Sequence, residues 1–115
     1  MKQISAATAE VIARRFSLLG DPTRIRLLNA MHSEGELSVG ALALAVDGSQ
    51  ANVSKHLNLL LGERMVVRRR EGTKALYRIA DPALIRICDE VCSGVEQELQ
   101  ELSSILGDDR SGRSS

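Results

Sequence analysis

Aromatic residues are almost absent from this chain: Phe16 and Tyr77 are the only rings among 115 residues, and there is no tryptophan. A platform that stacks single-stranded nucleic acid needs several rings, so that mode of binding is excluded. Cysteine is nearly as scarce. Cys88 and Cys92 stand alone, too few for the disulfide framework of a small secreted protein, and they point to a reduced, cytoplasmic setting. No apolar run approaches the roughly 18 residues that a membrane span requires, and the N-terminus lacks the basic-then-apolar layout of a secretory signal. The two histidines, His32 and His56, lie on different predicted helices. With no glycine-rich phosphate loop and no paired carboxylates, nothing here assembles an enzyme's nucleophile, base or metal triad. An excess of either charge is missing too, since 15 Lys and Arg balance 15 Asp and Glu. Taken as an average, that zero argues against a nucleic-acid partner.

Position along the chain reverses the argument. Residues 49–80 hold seven basic groups (Lys55, Arg64, Arg68, Arg69, Arg70, Lys74, Arg78) against two acidic ones (Glu63, Glu71), a net of +5. Residues 81–115 hold three basic and eight acidic groups, a net of −5. The length and 43% apolar content fit one domain over residues 1–106 followed by a disordered tail, 107–115. Its core is small enough to gain from a partner subunit.

The periodicities read as helices first and a hairpin later. Val11, Ile12, Phe16 and Leu19 recur at helical spacing up to Gly20. Asp21-Pro22 then supplies an N-cap and a first-turn proline for a second helix, with Ile25, Leu28 and Met31 turned inward and His32 near its C-terminal dipole. A short helix spans about Val39 to Val46 and breaks at Asp47-Gly48, where glycine can take the left-handed conformation. Ser49 caps the next helix, whose apolar face is Val53, Leu57, Leu60 and Leu61, and Gly62 closes it. Met65-Val66-Val67 and Ala75 to Ile79 read as strands around an Arg70–Lys74 turn. From Asp81-Pro82 a long helix runs to Leu106. Its residues Ile85, Cys88, Cys92, Val95, Leu99, Leu102 and Leu106, spaced 3, 4, 3, 4, 3, 4, make a heptad seam for a second copy of the chain. A second stripe, Leu84, Ile87 and Val91, suits the protomer's own core.

The predicted fold is therefore mainly α with a β-hairpin wing, in the order α-α-α-α-β-β-α: a winged helix-turn-helix that dimerises through its terminal helices. Such a fold suits double-stranded DNA, because a helix fits the major groove and its N-terminal side chains reach base edges. Gln50 and Asn52 can pair with adenine, while Ser49, Ser54, Lys55 and His56 can take bases or phosphates. Arg68, Arg69, Arg70 and Lys74 on the hairpin suit phosphates or an adjacent minor groove. His56 is read as a donor on the DNA side, and Asp21 and Arg24 as a cap with a local ion pair.

Three motifs, in order, resemble the ArsR/SmtB family of transcriptional repressors: Leu18-Leu19-Gly20-Asp21-Pro22-Thr23-Arg24-Ile25-Arg26-Leu27-Leu28, then Ser49-Gln50-Ala51-Asn52-Val53-Ser54-Lys55-His56-Leu57, then Arg70-Glu71-Gly72 before Tyr77-Arg78-Ile79. The resemblance covers about residues 8 to 100. It implies a homodimer on an inverted-repeat operator that is released by an inducer. By the match, Ser49 to His56 opens the recognition helix and Arg69 to Lys74 is the wing.

Inducer sites carry over unevenly. The family's Cys-x-Cys site near the first helix of the helix-turn-helix has no counterpart, since residues 37–48 lack cysteine. The zinc site between paired last helices maps to Asp81, Ala83, Gly94 and Gln97, of which only Asp81 matches, and the persulfide pair lacks its cysteine on the second helix. Members that respond to arsenic or antimony place thiols on or near the last helix, and Cys88 and Cys92 look most like those. Arsenite, antimonite, another thiophilic ion or a sulfur or redox signal is the inducer that this implies, for soft centres select sulfur ligands. The plain alternative is that both cysteines only pack, as small buried residues do. The chain would then be a ligand-independent winged-helix repressor; a winged-helix protein-docking module is the further rival.

Overall fold

A computed structural model of the chain describes the backbone of residues 2–114 and the side chains of residues 2–106. Internal contacts divide it into two units, Met1–Asp81 and Pro82–Ser115. The first holds α1 (Ala6–Leu19), α2 (Pro22–Glu34), β1 (Leu37–Ser38), α3 (Val39–Val46), α4 (Gln50–Gly62), β2 (Val66–Glu71) and β3 (Lys74–Ile79); the second is α5 (Pro82–Ser114).

Each helix of the first unit begins on a side-chain oxygen. Ser5, Asp21, Ser38 and Ser49 accept from the backbone N–H three residues on, at Thr8, Arg24, Ala41 and Asn52, over 3.0–3.2 Å. Each such cap satisfies a donor that the helix leaves orphaned and contributes about 1 kcal/mol. The left-handed residue after α3 is Asp47 (φ 53°), not the expected Gly48; α4 ends at Gly62 as expected, and Arg64 just beyond it is left-handed (φ 58°). At α4 the Met65 N–H bonds to the Leu60 carbonyl (2.9 Å) and the Arg64 N–H to that of Leu61 (3.0 Å). This is a Schellman closure in which an apolar pair, Leu60 and Met65, both fully buried, locks the reversal. Burial of Met65 sets the site of the turn, and Arg64 takes the strained conformation as a consequence.

The core is built from Leu27, Leu28 and Met31 of α2, Leu42, Ala43 and Val46 of α3, and Val53, Leu57 and Leu60 of α4, with Met65, Val66 and Tyr77 below. Leu27 takes the inward place expected of Ile25, which is 39% exposed; two residues along a helix turn a side chain well away from its neighbour's face. None of α1's residues is buried, and its Ile12 and Phe16 are exposed.

The strands form an antiparallel sheet of order β1-β3-β2. The unpredicted member is β1, whose Leu37 and Ser38 pair with Tyr77 and Leu76. Two residues are too few to show alternation, so this strand exists only because β3 offers it an edge. The hairpin is tighter than expected: Glu71 pairs with Lys74, leaving a two-residue turn at Gly72-Thr73. Only Gly72 has positive φ there (64°), the pattern of a type II′ turn, whose twist matches that of the strands.

In α5, Leu84 is buried, whereas Ile87 and Val91 of the same expected stripe are 40% and 60% exposed. The backbone of α5 runs to Ser114 rather than stopping at Leu106, and the side chains of the expected tail, 107–115, fall outside the described residues.

Candidate nucleic-acid interface

One face of α4 is spent on the core, and the opposite face follows from that. Gln50, Asn52 and Lys55 are exposed and Ser54 is half-buried. The Ser49 hydroxyl oxygen is taken up in capping, and with it the first turn of α4 presents backbone N–H groups and the positive end of the helix dipole to solvent. Gln50 lies over the start of α3, where a Cβ at Gly40 would come 3.6 Å from its amide nitrogen.

Two arginines of α2 brace this helix pair. Arg26 donates to the Val46 and Ala45 carbonyls (3.2 and 3.3 Å), placing a cation on the C-terminal carbonyls of α3. Arg24 donates through Nε to the Leu18 carbonyl of α1 (2.7 Å), and its Nη1 lies 3.1 Å from Nδ1 of His56 on α4. A guanidinium has no acceptor, so Nδ1 is the acceptor there and the ring proton sits on Nε2. His56 therefore departs from its expected place on the DNA side. Its side chain is only 15% exposed and faces Arg24 and Asp21, whose Oδ2 is 4.0 Å from Nδ1, because the i+3 step from Val53 carries it toward the core-facing side of α4. Asp21 is the cap it was expected to be. Its carboxyl is held below the ordinary carboxylate value chiefly by the Arg24 N–H; partial desolvation opposes this, and the charge of Arg24 adds to it.

On the hairpin, alternation separates the three arginines of β2. Arg68 and Arg70 share one face, while Arg69 and Glu71 share the other. Arg69 is not held out toward a partner. Its Nε and Nη2 donate to Glu36 at 2.6–3.0 Å, and Nη2 also reaches Glu71 at 2.8 Å. The Arg69 hydrogen bond, with smaller contributions from the charges of Arg69 and Arg78, holds the Glu36 carboxyl below its ordinary value. Arg68, Arg70 and Lys74 are exposed and carry the available charge of the wing. Glu36 went unremarked in the sequence because nothing local marks a residue whose partner is 33 positions away.

The α5 thiols are unequal. Cys88 is half-buried and Cys92 exposed, both free. Burial raises the Cys88 thiol above its ordinary value, and the neighbouring Cys92 and Asp89 charges push it the same way. Among the described residues no three His, Cys, Asp or Glu side chains group to hold a metal ion, so one chain offers a soft ion two sulfurs at most. Further along the predicted seam, Val95, Leu99 and Leu102 are exposed, and Ile85 is half-buried at its start. Among the described residues no helix is long and apolar enough to cross a membrane.

Comparison with known proteins bears on this arrangement. Residues 19–69 match a family model described as a helix-turn-helix domain. A transcriptional repressor SmtB homolog from Synechocystis is 35% identical over 94 residues, 82% of this chain and 70% of that one. The chain belongs to the ArsR/SmtB family. Its members are winged-helix, DNA-binding transcriptional repressors, not enzymes. Among solved ArsR/SmtB-type structures, the AntR antimony-specific transcriptional repressor is 34% identical with a TM-score of 0.76, over 87% of this chain and 90% of that one. A homodimeric winged helix-turn-helix DNA-binding domain from Mycobacterium bovis is 30% identical with a TM-score of 0.75, over 88% and 95%.

Proposed function

We propose that this ArsR/SmtB protein binds an inverted-repeat operator in duplex DNA as a homodimer and leaves it when a thiophilic inducer engages Cys88 and Cys92. The observation that carries the DNA reading is the exposed set Gln50, Asn52 and Lys55 on the first turns of a helix whose other face is wholly buried. Rigid display of amides and a cation is what base-edge recognition requires. Ser49 and Ser54 flank them, and Arg68, Arg70 and Lys74 of the wing supply phosphate contacts. Dimerisation uses the apolar seam of α5, where Val95, Leu99 and Leu102 are exposed; two recognition helices then meet half-sites about one DNA turn apart.

For the inducer, the support is chemical. Cys88 and Cys92 are same-face neighbours four apart on a helix, and Cys92 adds to the cost of ionising Cys88; a soft cation or metalloid such as antimonite or arsenite relieves that repulsion by taking both sulfurs. The similar AntR repressor is antimony-specific by its description. A second reading has its own observation. The upward push on Cys88 is the mark of a packed, unreactive thiol, which fits a repressor that answers to no ligand.

Alanine at Gln50, Asn52 and Lys55 together should abolish sequence preference while non-specific, salt-sensitive binding persists; unchanged operator binding would remove α4 as the reading helix. Reduced protein–DNA complex titrated with antimonite, arsenite, cadmium, zinc and a persulfide donor addresses the thiols. Release from wild type but not from Cys88→Ser/Cys92→Ser supports thiol sensing, and equal behaviour of the two supports the ligand-independent repressor.

A further inference from the structure

His56 is the one titratable side chain on α4 that is turned away from solvent and toward the start of α2, and its surroundings ask for one protonation state. Nδ1 accepts from Arg24 Nη1 at 3.1 Å, a bond that exists only while that nitrogen is bare, since the guanidinium offers nothing but donors. Arg24 is itself fixed by its 2.7 Å bond to the Leu18 carbonyl, so the ring is tied through one guanidinium to the end of α1 and the start of α2. We propose that His56 is a positioning residue of the recognition helix, acting as the neutral Nε2–H tautomer that accepts from Arg24, and that protonating it loosens α4 and weakens DNA binding. The inference rests on the proposed use of α4 to read duplex DNA.

Protonation puts an N–H on Nδ1 where the Arg24 N–H already points. The bond is lost and two cations face each other. The acceptor that faces Nδ1 is Asp21 Oδ2, 4.0 Å away, and that oxygen is already accepting the Arg24 backbone N–H (3.0 Å) as the cap of α2. A charged ring therefore either competes for the cap or stands against a fixed guanidinium, and both disturb the seat of α4. The charged groups facing the ring are thus Arg24 and Asp21. Of the other elements packed on α4, α3 carries no charged residue and β2 opens with Val66 and Val67 before its first arginine, while α1 brings Arg15 and also Arg14, which is paired with Glu63 beyond the far end of α4 (3.1 Å). On α4 itself Lys55 is adjacent but exposed. Protonation is driven by acidification, so the effect is read by lowering the pH. Its sign is the informative feature: a histidine that met phosphate directly would bind DNA more tightly when protonated.

The test uses a duplex selected by the wild-type protein from a randomised pool at pH 8. Wild-type affinity should fall about fivefold between pH 8 and pH 5.5, the size of one lost hydrogen bond. His56→Asn, whose carboxamide oxygen can stand where Nδ1 does and cannot be protonated there, should bind with a flat pH profile. Nitrogen-15 NMR of the DNA-free protein at pH 8 should show His56 with its proton on Nε2. A wild-type affinity that is constant or rises on acidification, an identical pH response in His56→Asn, or an Nδ1–H tautomer would each overturn the inference. Failure of wild type to select any duplex at pH 8 would instead bring down the DNA-reading assignment beneath it.

Discussion

In α4, Val53, Leu57 and Leu60 recur at spacings of four and three and are fully buried; in α5, Val95, Leu99 and Leu102 recur at the same spacings and are 46%, 58% and 56% exposed. The patterns cannot be told apart by period. What separates them is supply: α4 has α2, α3 and β2 packed against it within its own unit, while the α5 stripe is exposed and open to the seam proposed for it. An amphipathic helix states that it will bury a face but leaves open which molecule covers it. The same division holds for charge, with the cations on and beside α4 and the excess of carboxylates on α5 and beyond.

The largest effect that would test the contrast comes from charging the open seam. Leu99→Asp with Leu102→Asp should weaken self-association by at least about a hundredfold, because carboxylates in an apolar seam are costly. Sedimentation should show monomers whose far-ultraviolet circular dichroism still reports the first unit. A dimer that persists would mean that α5 is not the seam. Next in size, Leu57→Ala should destabilise the protein by about 3 kcal/mol, a drop in Tm of roughly 10 °C. Leu99→Ala should barely move the melting of dilute protein, and equal losses for the two would erase the distinction between a core stripe and an interface stripe.

A smaller gain is expected where α4 ends. Arg64→Gly relieves the left-handed conformation and should add about 0.5 to 1 kcal/mol, raising Tm by roughly 2–4 °C. A lower Tm would show that the arginine side chain contributes more than its backbone strain costs. The smallest effect concerns the wing. Since the Glu36 carboxyl is held below its ordinary value, its pair with Arg69 contributes above the carboxylate range and is lost as pH falls through that lowered value. The Arg69 Nε signal should therefore shift only below the ordinary carboxylate value of 4.5, and should already be shifted at neutral pH in Glu36→Gln.

Much of the architecture was legible because its signals are local. Asp21 and Ser49, the caps read from the sequence, each satisfy an N–H three residues away, and the bounds of α3 follow from a contiguous apolar run. Several readings that went astray involve distant partners: Leu27 displaced Ile25 inward, and Leu37-Ser38 became a strand on the edge of β3. Asp47, not Gly48, took the left-handed turn after α3. At the interface, the exposure of Gln50, Asn52 and Lys55 was readable from the face opposite Val53 and Leu57. The engagement of Arg69 by Glu36 and the inward turn of His56 were not.

The sequence by itself determined the helices and hairpin, the family and the polar face of the recognition helix, for these depend on spacings of two to four residues and on side chains that cap their own backbone. Only the tertiary structure decided which cations of the basic segment remain available and which histidine nitrogen must be bare. Those outcomes rest on hydrogen bonds between residues 32 and 33 positions apart, and such pairs meet only after the apolar faces have packed and set the distances between them.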